Sequence, residues 1–245
     1  MAKFQIVKAG AAQTATFIKA LVYGESGAGK SFLAATAPKP LILLTEMNGQ
    51  ASIMHSNPDA DIIHITTDIM LAEVLKDIDD NPDDYAAYDT IVIDSITEMQ
   101  RLIKDRLTNN GRGQMSLPLW GKLADNMRAL IRRIRGLKKN VVCIALLESQ
   151  MEEESGQRHH RPAFEGKKTS GEIAQYFNWV GFLNTTIEPV EDAAGGKKAS
   201  STVRNLMVEG PARVLCKPTY PLTGVIRNPN INTIFQKILN PKSSK

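Results

Sequence analysis

At 245 residues, 42% hydrophobic and 23% charged, the chain has the make-up of a globular protein with a well-buried core. That excludes the disordered and collagen-like classes and favours one large domain over two. No apolar run approaches the roughly 20 residues of a membrane span, and the opening Met1-Ala2-Lys3-Phe4-Gln5-Ile6-Val7-Lys8 lacks the apolar core of a secretion signal. Cys143 and Cys216 sit inside apolar runs without metal-type spacing, which reads as a reducing, cytosolic compartment.

The net charge of +4 is modest but unevenly spread. Residues 41–100 hold thirteen acids against one base, Lys76, whereas residues 101–140 hold eleven bases against Asp105 and Asp125. Residues 197–245 hold nine bases against Glu209. Such segregation suits a polyanion partner on one face, although solvated helix faces that happen to be basic would look the same.

In chain order, residues 1–16 read as a small, polar N-terminal arm. The β-prone run 17–23 leads into Gly24-Glu25-Ser26-Gly27-Ala28-Gly29-Lys30-Ser31, and Phe32 opens a helix that Pro38-Lys39-Pro40 stops. This is G-x-x-x-x-G-K-[ST] between a strand and a helix, the setting in which the motif binds nucleotide phosphates. Glycines let backbone N–H groups face the phosphates at the positive end of the helix. Lys30 would lie along the β- and γ-phosphates of ATP, and the Ser31 hydroxyl would ligate Mg²⁺.

Apolar strands follow at 41–45, 61–66, 90–94 and 141–147. Helices are expected over 70–79, 97–107 and 120–137, the last basic with Leu123, Met127, Leu130, Ile131 and Ile134 on its apolar face. Alternation of this kind predicts an α/β fold with a mostly parallel central sheet flanked by helices. Two polar stretches interrupt it, 108–118 and 151–171. Beyond them, antiparallel hairpin strands are expected at 176–186, 202–208 and 212–216, then a helix over 232–239. Residues 17–240 thus form one core, with a frayed tail over 241–245.

Asp94 closes the fourth strand and is a natural second partner for Mg²⁺; the alternative is a capping aspartate before Ser95. Because Ser95, not a second acid, follows Asp94, the role of base falls to Glu46 at the end of 41–45. Otherwise Glu46 is a solvated turn residue. Gln150, at the end of the fifth strand, could touch the γ-phosphate and open the long loop, or be an ordinary strand-end residue.

These features together resemble the RecA-type recombinase core: a phosphate loop, strands ending in Thr45-Glu46 and Asp94-Ser95, and a strand ending in Gln150 before a long loop. The resemblance implies a DNA-stimulated ATPase with Glu46 as base and Gln150 as sensor. Segments 108–119 and 151–171 would be its two loops for single-stranded DNA, and the site would be completed by a neighbouring subunit in a ring or filament. Lys217 resembles one of the paired lysines that reach a neighbour's nucleotide in RecA, but its companion is missing. The short chain is similar to phage-encoded, core-only ATPases of single-strand annealing recombination. Two rivals stand beside that reading, a P-loop small-molecule kinase and a nucleotide-gated DNA-loading module that hardly turns over ATP.

A groove for unpaired DNA needs cations along the backbone and flat side chains for stacking. Arg112, Arg128 and Arg132 supply charge around the first loop, and Arg158, Arg161, Lys167 and Lys168 around the second. Phe164 is the candidate stacking surface there, or else it anchors the loop to the core. Trp120 reads as packing at a helix start, and His159-His160 as solvated loop residues.

Overall fold

The computed structural model describes residues 17–46, 49–152, 156–166, 169–190, 199–219 and 221–240. The expected arm, the tail, Lys167 and Lys168 lie outside these residues. Runs of branched apolar residues become the strands β1 (Lys19–Gly24), β2 (Pro40–Leu44), β3 (Asp61–His64), β4 (Thr90–Asp94) and β5 (Asn140–Met151). β1, β2 and β4 are buried along their whole length, as strands covered on both faces must be.

Four helices cover one face of the sheet: α3 (Asp68–Asp80), α4 (Ile96–Leu107), α5 (Leu117–Gly136) and α6 (Thr169–Ala174). They meet Leu21 and Tyr23 of β1, Ile91 and Ile93 of β4, and Cys143 of β5. Three helices cover the other face: α1 (Lys30–Ala34), α2 (Gln50–Ser56) and α7 (Ile231–Leu239). They meet Ala20 and Val22, Val92, Val142 and Ile144. The period of two along each strand splits one apolar run between two cores.

The strand order is β3-β2-β4-β5-β1-β7-β8-β9, where β7 spans Trp179–Val190, β8 Ala199–Met207 and β9 Val225–Arg227. From β3 to β7 all pairings are parallel, and β8 and β9 add antiparallel. The expected fold class is therefore the observed one. β5 lies between the phosphate-loop strand β1 and the Asp94 strand β4, so the ends of β1, β4 and β2 open toward a common edge.

Four expectations need correction. Residues 151–171 are not one irregular loop: β5 runs on to Met151 and pairs antiparallel with β6 (Arg158–Pro162). Polar Arg158-His159-His160-Arg161 hides that strand, because these residues are at most partly buried and carry no apolar alternation. His160 stacks on Phe182 at 5.4 Å rather than standing in solvent. Residues 212–216 make only isolated bridges, from His160 to Val214 and, just beyond them, from Val180 to Lys217. The helix α2 was not expected, because of its residues only Ile53 is buried and no amphipathic period betrays it.

Candidate functional site

Gly24, Gly27 and Gly29 each meet a separate demand. A side chain at Gly24 would collide with the carbonyl oxygen of Leu183 on β7. Gly27 and Gly29 have φ of 81° and 88°, the left-handed region that glycine enters without strain. The loop so formed lines a cavity of about 540 Å³ together with Lys30, Ser31, Phe32, Glu46 and Asp94. Lys30 is 8% exposed, and its Nζ donates to the carbonyls of Gly24 (3.0 Å) and Glu25 (2.7 Å). Burial lowers its pKa, against the pull of Asp94, Glu46 and Glu25.

The ends of β2 and β4 are tied to each other. Thr45 N and Oγ1 both donate to Asp94 O, at 2.7 and 3.0 Å, and Ser95 N donates to Thr45 Oγ1 at 2.9 Å. Ser95, where a second acid was absent, has two tasks. Its Oγ accepts from Glu98 N at 3.2 Å, capping α4, and donates to Glu46 Oε1 at 3.3 Å. A hydroxyl has one proton and two lone pairs, so both bonds can coexist. Glu46 is thereby half-buried and aimed into the cavity rather than left as a solvated turn residue.

The Asp94 carboxyl is 7% exposed, and burial raises its pKa, with Ser31 hydrogen bonding working the other way. Its Oδ2 has no hydrogen-bond partner among the described residues. An orphaned, buried carboxylate oxygen beside a serine hydroxyl is a hard-oxygen donor pair, and it fits Mg²⁺. Among the described residues no group of three or more His, Cys, Asp or Glu could hold a metal ion. A cation here would therefore take its remaining ligands from water and phosphate oxygens.

Gln150 is not brought to this cavity. The β5 residues that line it are Ile144 and Leu146, and Leu146 is level with Gly24. Gln150 lies four residues further out, about 13 Å along an extended strand. Its side chain donates to Glu148 Oε1 at 2.7 Å and accepts from Arg161. The expected phosphate sensor is thus a member of a polar network on the hairpin. Lys217 is likewise committed within its own chain, with Nζ donating to the carbonyls of Gln175 (3.0 Å) and Phe177 (2.6 Å).

A second cavity, of about 750 Å³, opens on the α4 face and is lined by Arg101, Trp120, Gln150 and Arg161 together with Glu148 and Glu165. Phe164 reaches it only as an anchor. It is 6% exposed and part of the core, which removes it as a stacking surface. The half-buried aromatic at the rim is Trp120, with Lys104 Nζ 5.9 Å from its ring centre. Arg161 pairs with Glu148 at 3.2 Å and Arg101 with Glu98 at 2.9 Å. Arg128 pairs with Asp125 and Glu172, and Arg112, Arg132 and Arg158 are exposed. Arg132 lies twelve residues after Trp120 on α5, about 18 Å along the helix, so it does not share the groove.

Between the cavities runs α4. Starting beside Asp94, its Thr97 Oγ1 accepts from Leu146 N (3.0 Å) and donates to Ala163 O (3.1 Å). Gln100 makes a reciprocal pair with the backbone of Glu165, at 3.0 and 2.7 Å, and Lys104 Nζ reaches the Glu165 carboxylate at 2.8 Å. Sequence reasoning missed this role for α4 and Arg204 of β8 in the wall of the first cavity; Trp120 packs against the core at the start of α5, as expected, and also borders the second cavity. The polar residues on α4's inner face, Thr97 and Gln100, both buried, were the available signal.

No helix among the described residues is long and apolar enough to cross a membrane. No curated protein matches the chain. The AAA domain family matches residues 16–214, from just before β1 to the bridge at Val214. With that match, a glycine-rich phosphate loop and a mostly parallel sheet flanked by helices, the chain belongs to the AAA domain family of P-loop ATPases.

Proposed function

We propose that the protein is an Mg²⁺-dependent ATPase whose nucleotide state governs a groove for single-stranded DNA, of the RecA-like type that pairs or anneals strands. The observation that carries this is the continuity of α4. One helix begins at the Asp94–Ser95 wall of the phosphate cavity and holds, through Thr97, Gln100 and Lys104, the 163–165 segment that lines the neighbouring groove. A shift at Ser95 would be felt in that groove without the aid of Gln150.

In this reading the loop backbone and Lys30 hold the phosphates, and Ser31 and Asp94 hold the cation. Mg²⁺, when bound there, would supply positive charge to the phosphate oxygens. Glu46, oriented by Ser95, takes a proton from water as the water oxygen bonds to the γ-phosphorus. The bond to the β–γ bridging oxygen breaks, giving ADP and phosphate. Arg101 and Arg161 line the groove, paired to Glu98 and Glu148. Both pairs are only partly buried, so a DNA phosphate can take the place of the Glu98 and Glu148 carboxylates, and Trp120 offers a base a ring to stack on. A ring or filament in which a neighbour completes the nucleotide site belongs to the same proposal.

The small-molecule kinase reading is less favoured, since such an enzyme needs an arginine-rich lid and the segment after β5 is a hairpin. The deciding experiment is the ATPase rate with and without a single-stranded oligonucleotide. A severalfold rise supports the proposal, and oligonucleotide affinity should then fall with salt at a log–log slope of roughly −0.7 per phosphate contact. An unchanged rate with no binding would leave the AAA domain without a DNA role.

A further inference from the structure

The phosphate cavity is also lined by a side chain that the phosphate-loop motif does not account for. Arg204 stands in β8 between Val203 and Asn205, and its backbone is fixed on both sides. It pairs with Thr185 of β7, its N–H donates to Asn228 Oδ1 at 3.2 Å, and its carbonyl accepts from Asn228 N at 2.7 Å. From there the side chain crosses β7 to the phosphate loop. Its guanidinium lies over the Phe32 ring, 4.3 Å from the ring centre. A side chain at Gly29 would run into the Arg204 Nε. Glycine at 29 therefore serves twice, by adopting a φ of 88° and by leaving room for this arginine.

Arg204 has no ion-pair partner among the described residues, and its Nε is buried without a hydrogen-bond acceptor. A guanidinium held on an aromatic face retains its in-plane donors, and those donors border the cavity shared with Lys30 and Ser31. Arg204 is only part-buried, but its buried Nε lacks an acceptor that a ligand anion in the cavity would supply. The flanking residues say which part of the ligand this would be. In the motif the loop backbone cradles the α- and β-phosphates, and the lysine reaches the β- and γ-phosphates. Arg204 sits at Gly29 and Phe32, on the cradle side.

We propose that Arg204 is a second cation for the bound nucleotide, supplied within the same subunit from β8, and that it grips the α,β-diphosphate common to ATP and ADP. This rests on the reading of the loop as a nucleotide site. Lys30 and Arg204 then close on the phosphates from two walls. The β7–β8 hairpin becomes part of the nucleotide site, and a ligand lacking the diphosphate loses the contact.

The test is a titration of ATP, ADP and adenosine into wild type, Lys30→Ala, Arg204→Met and Arg204→Lys, each also checked by melting temperature. Methionine keeps an unbranched stem over Gly29 and Phe32 and removes the charge. For Arg204→Met the dissociation constants for ATP and ADP should rise together, roughly ten- to hundredfold, as expected for a lost charge-assisted hydrogen bond. Adenosine should be unaffected, and Arg204→Lys should fall between. Wild-type affinities for ATP and ADP in Arg204→Met overturn the inference, as does an equal loss for adenosine, which would mean a base contact. If Arg204→Met does not fold, Arg204→Lys decides: a severalfold rise for both nucleotides supports the inference and wild-type values refute it. Should Lys30→Ala also bind ATP normally, the nucleotide-site reading itself fails, which separates the two.

Discussion

Two buried lysines bracket β1, and they resemble each other in every local respect. Lys19 opens the strand, is 5% exposed, and donates from Nζ to the carbonyls of Leu137 (2.7 Å) and Lys139. Lys30 follows the strand, is 8% exposed, and donates to the carbonyls of Gly24 and Glu25. Burial lowers the pKa of both, that of Lys19 to about 8. What differs is the surroundings. Lys19 is stapled to the turn before β5, alongside Asn140 and Asn178, whose side chains accept from the N–H groups of Ile18 and Lys19. Lys30 is bonded within its own loop and faces a cavity that also holds Glu46 and an unsatisfied Asp94 oxygen. Burial and a shifted pKa do not mark a functional lysine; opposed carboxylates across an open space do.

That contrast can be broken most severely at Lys30. Lys30→Ala should lower nucleotide affinity and ATP turnover by roughly a hundredfold or more, from the loss of charge-assisted contacts to phosphate. Calorimetry and a phosphate-release assay would check this, and the melting temperature should stay near wild type. Equal loss in Lys19→Met would erase the distinction. Next in size is Glu46→Gln, which should slow hydrolysis by about 10²–10⁴-fold, the usual range for a general base, while ATP still binds. Undiminished turnover would remove Glu46 as base and leave Ser95 orienting an idle carboxylate.

A smaller effect is expected on the α4 face. Trp120→Ala should weaken oligonucleotide binding by about 1–3 kcal/mol, the range for one stacked base, measured by fluorescence anisotropy. Phe164→Leu, a change inside the core, should leave affinity intact. The reverse order would return the stacking role to Phe164. The smallest effect concerns pH. Lys19 loses its proton near pH 8 when folded and near 10.5 when unfolded, so between those values the unfolded chain binds more protons. Stability contributed by this group therefore rises with pH across that window. Wild type should gain on Lys19→Met from pH 8 to 10.5, by an amount on the order of 1–3 kcal/mol, read from denaturant midpoints. A constant difference would mean that Lys19 is solvated.

How much of this was legible in the sequence follows from the range of each determinant. That the phosphate loop, Glu46 and Asp94 border one cavity was readable because they hang on apolar strands of ordinary length and on one contiguous motif. Gln150 was misplaced because β5 runs on for twelve residues, past the apolar-to-polar switch after Leu147, and carries Gln150 away from the cavity instead of ending beside it. Phe164 was ambiguous because a lone aromatic in a polar stretch can face either way, and only its packing against the core decides. Arg204 could not be found by pattern. Its proximity to Gly29 arises from the sheet order, which sets β8 one strand away from β1. The route through α4 was hidden for a similar reason, since Thr97 and Gln100 gain their meaning from β5 and from the segment after β6.

The central claim is that occupancy of the Lys30 cavity is transmitted along α4 to the groove beside Trp120. Its most direct measurement is the affinity of wild type and Lys30→Ala for a single-stranded oligonucleotide, with and without a non-hydrolysable ATP analogue and Mg²⁺. The account predicts that the analogue changes wild-type affinity at least severalfold and leaves Lys30→Ala unmoved. Identical affinities with and without the analogue in wild type would contradict it.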